Sequence, residues 1–268
     1  MTNSKQIEST FKLLKAANQK AVIPFLTADF PNRDVFLELL HALPKHGADI
    51  IEIGIPFSDP MADGSTIQKT SAIAIQNGFT IAQCLDDIRT FKSIFPTVPI
   101  VIMTYANPIV CYGATHFAEQ AAHVGVDGLL LVDVPPELTP TIFNTPPTMD
   151  MIHLITATTA EDRLSTIQQH ASGFSYYVSV KGTTGNKTPS ATEISSHVTS
   201  IKKSIQLPMV IGFGISSPAI AKEMADISDG IVIGSSLLAP FLNSDAPHST
   251  TITTQCQMIQ EFKTAIHS

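Results

Sequence analysis

Residues 48–64, ADIIEIGIPFSDPMADG, place one carboxylate inside an apolar run and a second in the loop that follows. The run is almost continuously apolar, which is typical of a parallel strand that is buried on both faces. Similar runs of strand length recur at intervals of roughly thirty residues. They lie at 21–28, 49–55, 98–105, 127–134, 151–156, 174–180, 208–215 and 230–235.

Segments with helical periodicity separate these runs. They lie at 33–47, 80–95, 115–125, 161–170, 191–203 and 217–226. Ser217-Pro218 is typical of a helix start, while Gly47 and Gly125 fall where helices are expected to end. The alternation of strand and helix predicts an α/β protein, a closed (β/α)8 TIM barrel, with an open doubly wound sheet as the rival architecture.

The two ends of the chain differ in character. At the N-terminus, Ile7, Phe11 and Leu14 recur at helical spacing and predict an amphipathic helix that packs on the barrel rather than a targeting signal. Near the other end, the polar segment 242–254 is expected to be a loop before a final helix that ends near Ile266. No linker divides the chain, so we expect residues 1–268 to form a single domain.

Composition excludes several classes of function. The chain of 268 residues is 44% hydrophobic and carries a net charge of −7, with its 16 Lys and Arg residues scattered, which argues against a nucleic-acid partner. No apolar stretch approaches membrane-spanning length. The three cysteines lie far apart without a metal-binding pattern, so we expect a cytoplasmic protein without a metal site.

Glu52 and Asp63 are the candidate catalytic groups. In a barrel the reactive groups lie at the carboxyl ends of the strands, and strand alternation puts Glu52 on the same face as Gly54, toward the interior. Burial raises the pKa of a carboxyl group and suits it to acid–base catalysis, although a buried salt bridge would also explain Glu52. Asp63 could be a simple turn former, but its loop starts at the mouth of the same strand.

Glycines follow the last two predicted strands. The sequences 212-GFGIS-216 and 234-GSS-236 precede predicted helices, and such loops bind phosphate in many barrels because the backbone N–H groups are accessible. Glycines used only for turns are the alternative. A third glycine-rich segment, 182–190, has the small, polar composition of a mobile lid.

Taken together, these motifs resemble the tryptophan synthase α-subunit family. The match around the two carboxylates, ADIIEIGIPFSDPMADGSTIQ at 48–68, is almost residue for residue, and the other motifs follow in the family's order along the whole chain. These further motifs are IPFLTA at 23–28, YANP at 105–108, VDVPPEL at 132–138, GTTG at 182–185 and GFGIS at 212–216.

The resemblance implies a metal-free lyase that cleaves indole-3-glycerol phosphate to indole and glyceraldehyde 3-phosphate. Glu52 would then be the acid and base, and Asp63 would stabilise the positive charge that develops on the indole nitrogen. The implied substrate-binding residues are Phe25, Met103, Val132, Tyr176, Thr184, Gly185, Gly214, Gly234 and Ser235. No cofactor is implied in this chain. Its implied partner is a pyridoxal-phosphate β subunit in an α2β2 heterotetramer.

Three sites depart from the family pattern. Asp29-Phe30 replaces Gly-Asp, Val180 replaces an Arg beside the predicted lid, and Ser65 replaces a Pro after Asp63-Gly64. Two functions therefore remain open, a working lyase subunit and a catalytically weak or inactive subunit that mainly binds and activates the β partner. Another phosphate-binding barrel, such as a phosphoribosyl isomerase, would fit the glycines but would leave Glu52 and Asp63 unexplained.

Overall fold

The eight predicted strands close into a parallel barrel in which every strand pairs with its neighbours in chain order and β8 pairs with β1. The structure, a computed structural model, describes residues 5–143, 147–178, 190–244 and 246–268. The strands are β1 Ala21–Thr27, β2 Ile51–Gly54, β3 Ile100–Thr104, β4 Gly128–Leu131, β5 Asp150–Thr156, β6 Ser175–Val178, β7 Met209–Ile211 and β8 Gly230–Ile233. The TIM-barrel prediction is confirmed, and the rival open sheet is excluded by the β1–β8 pairing.

Helices surround this barrel and fill the spaces between the strands along the chain. They are α1 Gln6–Ala16, α2 Arg33–Ala42, α3 Ser65–Gln76, α4 Ile81–Ile94, α5 Ala106–Tyr112, α6 Ala114–Val124, α7 Thr139–Ile142, α8 Glu161–His170, α9 Ala191–Ser204, α10 Pro218–Ile227, α11 Ser235–Asn243 and α12 His248–Ile266. The described ranges also contain 3-10 turns at Leu43–His46 and Pro136–Leu138. In the described part of the chain, no helix combines the length and the apolarity that crossing a membrane would require.

The predicted helix boundaries have clear local causes. The Ser217 side chain accepts a hydrogen bond from Ile220 N–H, and Pro218 occupies the first turn of α10, where its missing N–H is harmless. Gly47 and Gly125 adopt left-handed φ angles of 100° and 90° directly after helical segments. Both glycine predictions are confirmed.

The N-terminal helix packs as its sequence predicts. Ile7, Phe11 and Leu14 are all buried, and the Phe11 ring lies 5.8 Å from the ring of Phe174, just before β6. A Cβ atom at Gly128, the first residue of β4, would lie 3.0 Å from Ile7. Helix α1 therefore covers the end of the barrel where the strands begin.

Two segments differ from the predictions. The segment 242–254 is not a loop throughout, because α12 begins at His248, where Thr251 and Ile252 are buried. Packing against the barrel offsets the modest helix propensity of this Ser- and Thr-rich stretch. Helix α3 was also not predicted. It begins at Ser65 and buries small or polar residues such as Thr70, which give little apolar periodicity.

Candidate active site

Glu52 projects into the barrel interior from the middle of β2. It pairs with Phe25 on β1 and Val101 on β3, and only 1% of its surface is exposed. The Tyr176 hydroxyl, on β6 at the opposite wall, donates a hydrogen bond to Glu52 Oε2 at 3.4 Å. Among the described residues, Glu52 Oε1 has no hydrogen-bond partner. One carboxyl oxygen is thus held by the protein and the other remains available.

Burial sets the protonation state of Glu52. The pKa of this carboxyl group is raised to about 8, chiefly by burial; the hydrogen bond from Tyr176 opposes the rise, and the nearby Asp63 charge adds to it. At neutral pH the group is therefore mostly protonated. Among the residues that the structure describes, the salt-bridge explanation of Glu52 finds no support, since its hydrogen-bond partner there is a phenol.

Asp63 lies in the loop after β2, close enough to Glu52 for its charge to act on that carboxyl group. Its backbone is held on both sides, because Asp63 N–H donates to Pro60 O at 3.1 Å and Gln68 Nε2 donates to Asp63 O at 2.8 Å. Partial burial raises the pKa of the Asp63 carboxyl group to about 6, and a hydrogen bond from Tyr105 opposes this rise. Asp63 is therefore an anion at neutral pH.

Tyr105, the residue after β3, braces the loop that carries Asp63. Its hydroxyl accepts a hydrogen bond from Ala62 N–H at 2.9 Å, and its ring packs against Phe57 with centroids 5.2 Å apart. Only 2% of Tyr105 is exposed. In the sequence, Tyr105 stands out only as part of the motif at 105–108, because its contact joins the ends of two different strands and leaves no local pattern.

The four predicted apolar pocket residues lie on strands that line the barrel, or directly after one. The Phe25 ring packs beside the neighbouring strand β2, since a Cβ atom at Gly54 would lie 2.4 Å from it. Met103 pairs with Gly54 across β2 and β3, and Val132 N–H donates to Thr104 O just beyond β4. Tyr176 is the fourth residue. The structure therefore places all four on the strands or strand ends that form the interior of the barrel and its mouth.

Gly212 is an essential small residue beside Tyr176. A Cβ atom at this position would lie 2.0 Å from Tyr176 Cε1 and 2.3 Å from its hydroxyl oxygen. Such distances are impossible for ordinary side chains, so any larger residue must displace the phenol from Glu52. The sequence suggests an anion-binding role for this glycine, whereas its contact is with the tyrosine.

The two glycine loops lie side by side because β7 and β8 are neighbours in the barrel. Gly214 adopts a left-handed φ of 67°, and Gly234 precedes α11 without a side-chain cap. The first N–H groups of α11, starting at Ser235, therefore have no intrahelical acceptor. Gly214 and Ser235 are exposed, which leaves this surface accessible to an anion.

Some sequence predictions fall outside the described residues. These are Thr184 and Gly185, together with Val180 and the other residues of the predicted lid up to 189. Of the other departures, Asp29 is 4% exposed with a left-handed φ of 60°, and Ser65 starts α3. Within the described ranges, no group of three His, Cys, Asp or Glu side chains could hold a metal ion.

Comparison with known proteins decides the family. A family model described as tryptophan synthase alpha chain matches residues 11–267. The chain belongs to the tryptophan synthase alpha chain family. This confirms the resemblance, and the match includes the segments that carry Glu52, Asp63 and both glycine loops.

Individual members of the family agree with this assignment along almost the whole chain. The tryptophan synthase alpha chain of Burkholderia mallei is 43% identical over 87% of each chain, and that of Polynucleobacter asymbioticus is 38% identical over 98% of this chain and 99% of its own. The crystal structure of tryptophan synthase subunit alpha from Legionella pneumophila has a TM-score of 0.88 at 33% identity and covers 98% of both chains.

Proposed function

We propose that this chain is the lyase subunit of tryptophan synthase and cleaves indole-3-glycerol phosphate to indole and glyceraldehyde 3-phosphate. The family assignment supports this reaction. The observation that carries it is Glu52, a protonated carboxyl group inside the barrel mouth with one oxygen held by Tyr176 and the other available to a ligand. A retro-aldol cleavage needs such a group, because a carbon must be protonated and a hydroxyl deprotonated in turn.

In the proposed mechanism, Glu52 acts first as an acid. It gives its proton to C3 of the indole ring, which places a positive charge on the ring nitrogen. The bond between C3 and the glycerol carbon then breaks, and its electron pair returns to the ring to restore the aromatic indole. The glycerol hydroxyl loses its proton to the Glu52 carboxylate and becomes the aldehyde, so that Glu52 ends protonated again.

Asp63 stabilises the transient cation in this scheme. Its pKa of about 6 leaves it ionised while Glu52, with a pKa of about 8, still holds its proton. Two neighbouring carboxyl groups with separated pKa values can thus serve as an acid and as a fixed anion at the same pH. Tyr105 contributes by keeping the Asp63 loop against the pocket.

The remaining predicted site residues are assigned to the two ends of the substrate. Phe25, Met103, Val132 and Tyr176 would contact the indole ring, because they supply apolar surface next to Glu52. The phosphate would lie between the glycine loops. Its ligands would be the backbone N–H groups of Gly214, Gly234 and Ser235, and Thr184 and Gly185 are assigned to the lid on the resemblance alone.

The partner is a β subunit, in the α2β2 heterotetramer of tryptophan synthase, and pyridoxal phosphate belongs to that subunit rather than to this chain. Family membership supports the partnership. A cytoplasmic location is inferred from the biosynthetic family. None of the described residues favours the alternative of an inactive subunit that only activates the partner.

Release of indole from indole-3-glycerol phosphate, with and without a β subunit, tests the proposal. A lyase releases indole in both assays, and the partner changes only the rate. A chain that releases no indole in either assay, yet increases the synthesis of tryptophan from indole and serine by the β subunit, would be an activator instead. Phosphoribosyl isomerase activity in place of indole release would contradict both.

A further inference from the structure

One side-chain hydrogen bond joins the two glycine loops at the proposed phosphate site. The Ser236 hydroxyl, in the first turn of α11, donates to the backbone oxygen of Ile215 at 2.7 Å. Ile215 lies in the loop after β7 and is buried, whereas its neighbours Gly214 and Ser216 are exposed. The bond therefore fixes the loop after β7 relative to the start of α11, at the point where both are exposed to solvent.

The bond also changes the electrostatics of the site. A backbone oxygen beside a bound phosphate repels it, and a hydroxyl that donates to this oxygen reduces the repulsion. The peptide bond between Ile215 and Ser216 is planar and trans, so holding the Ile215 oxygen toward α11 turns the Ser216 N–H away from α11. The hydroxyl of Ser236 thus orients a peptide group next to Gly214.

Helix α11 leaves its N-terminus open for such a role. Its N-cap is Gly234 and no side chain caps it, while Leu237 and Leu238 N–H both donate to Gly234 O. The earlier N–H groups, of Ser235 and Ser236, point out of the helix start. Ser236, the second residue of the helix, uses its hydroxyl on the neighbouring loop.

We propose that Ser236 is a positioning residue of the anion site, whose hydroxyl fixes the spacing between the loop after β7 and the start of α11. The proposal rests on the proposed function, because it takes the phosphate of the substrate as the anion. Ser236 does not contact the reacting atoms in this role. Its loss should weaken binding of the phosphate group and leave the chemical step unchanged.

The test uses the full chain and sn-glycerol 3-phosphate as the probe, with affinity measured by isothermal titration calorimetry. Ser236→Ala is expected to weaken binding roughly three- to tenfold, as for the loss of a typical hydrogen bond. Ser236→Thr keeps the hydroxyl and should restore most of the affinity. The matched control is Ser93→Ala, which removes a hydroxyl that donates to Thr90 O at the same distance of 2.7 Å, on α4.

Three further measurements distinguish a positioning role of Ser236 from a general disruption of the binding site. In the cleavage assay, Ser236→Ala should raise KM and retain kcat, its affinity for indole should match that of the parent, and its Tm should fall no further than that of Ser93→Ala. An unchanged affinity for glycerol phosphate in Ser236→Ala would overturn the inference and leave the lyase proposal intact. An equal loss of affinity for indole would also overturn it, since the damage would not be specific to the anion. A parent chain that cleaves the substrate but binds no glycerol phosphate would contradict the anion site itself.

Discussion

The Tyr176 hydroxyl reaches across the barrel from β6 and donates to the Glu52 carboxyl group on β2 at 3.4 Å. Both side chains are almost completely buried. Burial raises the pKa of Glu52, and this hydrogen bond is the feature of the protein that opposes the rise. The position of this phenol therefore limits how far burial can raise the pH at which the proposed acid loses its proton.

Tyr176→Phe removes that hydrogen bond and should raise the pKa of Glu52 above about 8. Because the proposed acid must be protonated, kcat/KM falls as the pH rises through this pKa, and the alkaline limb should move roughly 0.5 to 1 pH unit higher. Tyr177→Phe is the control, since its hydroxyl contacts His197 Nδ1 instead. The assignment of Glu52 as the acid would be contradicted if the alkaline limb of kcat/KM moved to lower pH in Tyr176→Phe, or moved equally in both variants.

Tyr105→Phe should act on the other carboxylate. The hydrogen bond from Tyr105 lowers the pKa of Asp63, so its loss should raise that pKa above about 6. The proposed role needs an ionised Asp63, and the acid limb of kcat/KM should therefore move to higher pH. Tyr112→Phe serves as the control, because Tyr112 stacks on His116. The idea would fail if an NMR titration of the Asp63 carboxyl group gave the same pKa with and without the phenol.

The sequence predicted the structure best where a local residue pattern is compatible with only one kind of element. Continuous apolar runs predicted the barrel strands, and strand alternation predicted that Glu52 faces inward, as its contact with Tyr176 shows. Helix α12 was partly missed because local propensity at 248–254 is overridden by packing of Thr251 and Ile252.

Contacts between distant segments were the features that the sequence could not predict. The bond between Tyr105 and Ala62 joins two strand ends, and the bond between Ser236 and Ile215 joins two loops. Neither leaves a periodic signal, because each depends on how neighbouring strands align in the barrel. The roles of Glu52 and Asp63 came from the family resemblance and stay predictions until they are measured.

Gly212→Ala should abolish most of the activity through Tyr176. The added Cβ atom would lie 2.0 Å from the phenol ring, so the ring must leave its place beside Glu52, and the fold should lose about 1–3 kcal/mol of stability. Denaturant unfolding of the double variant Gly212→Ala/Tyr176→Ala is the control. If the two substitutions destabilise the fold additively, the proposed clash is not the cause.

Glu52→Gln should stabilise the fold in a pH-dependent way. The folded pKa of Glu52 is about 8, above its ordinary value of 4.5, so the folded state binds the proton more tightly and loses stability as the pH rises between these values. The neutral amide avoids this loss. The variant should therefore gain on the order of a few kcal/mol over the parent toward pH 8, and little near pH 4. Urea unfolding at several pH values measures the difference, with the exposed Glu119→Gln as the control.

The most direct test of the central claim is the rate of indole release from indole-3-glycerol phosphate by the parent and by Glu52→Gln, each in complex with a β subunit. The account predicts that the parent releases indole and that Glu52→Gln, correctly folded, loses about 100-fold or more of the rate, because its amide cannot exchange the proton. Glu119→Gln should match the parent. A Glu52→Gln variant that keeps most of the parent rate would contradict the assignment of Glu52 as the acid and base.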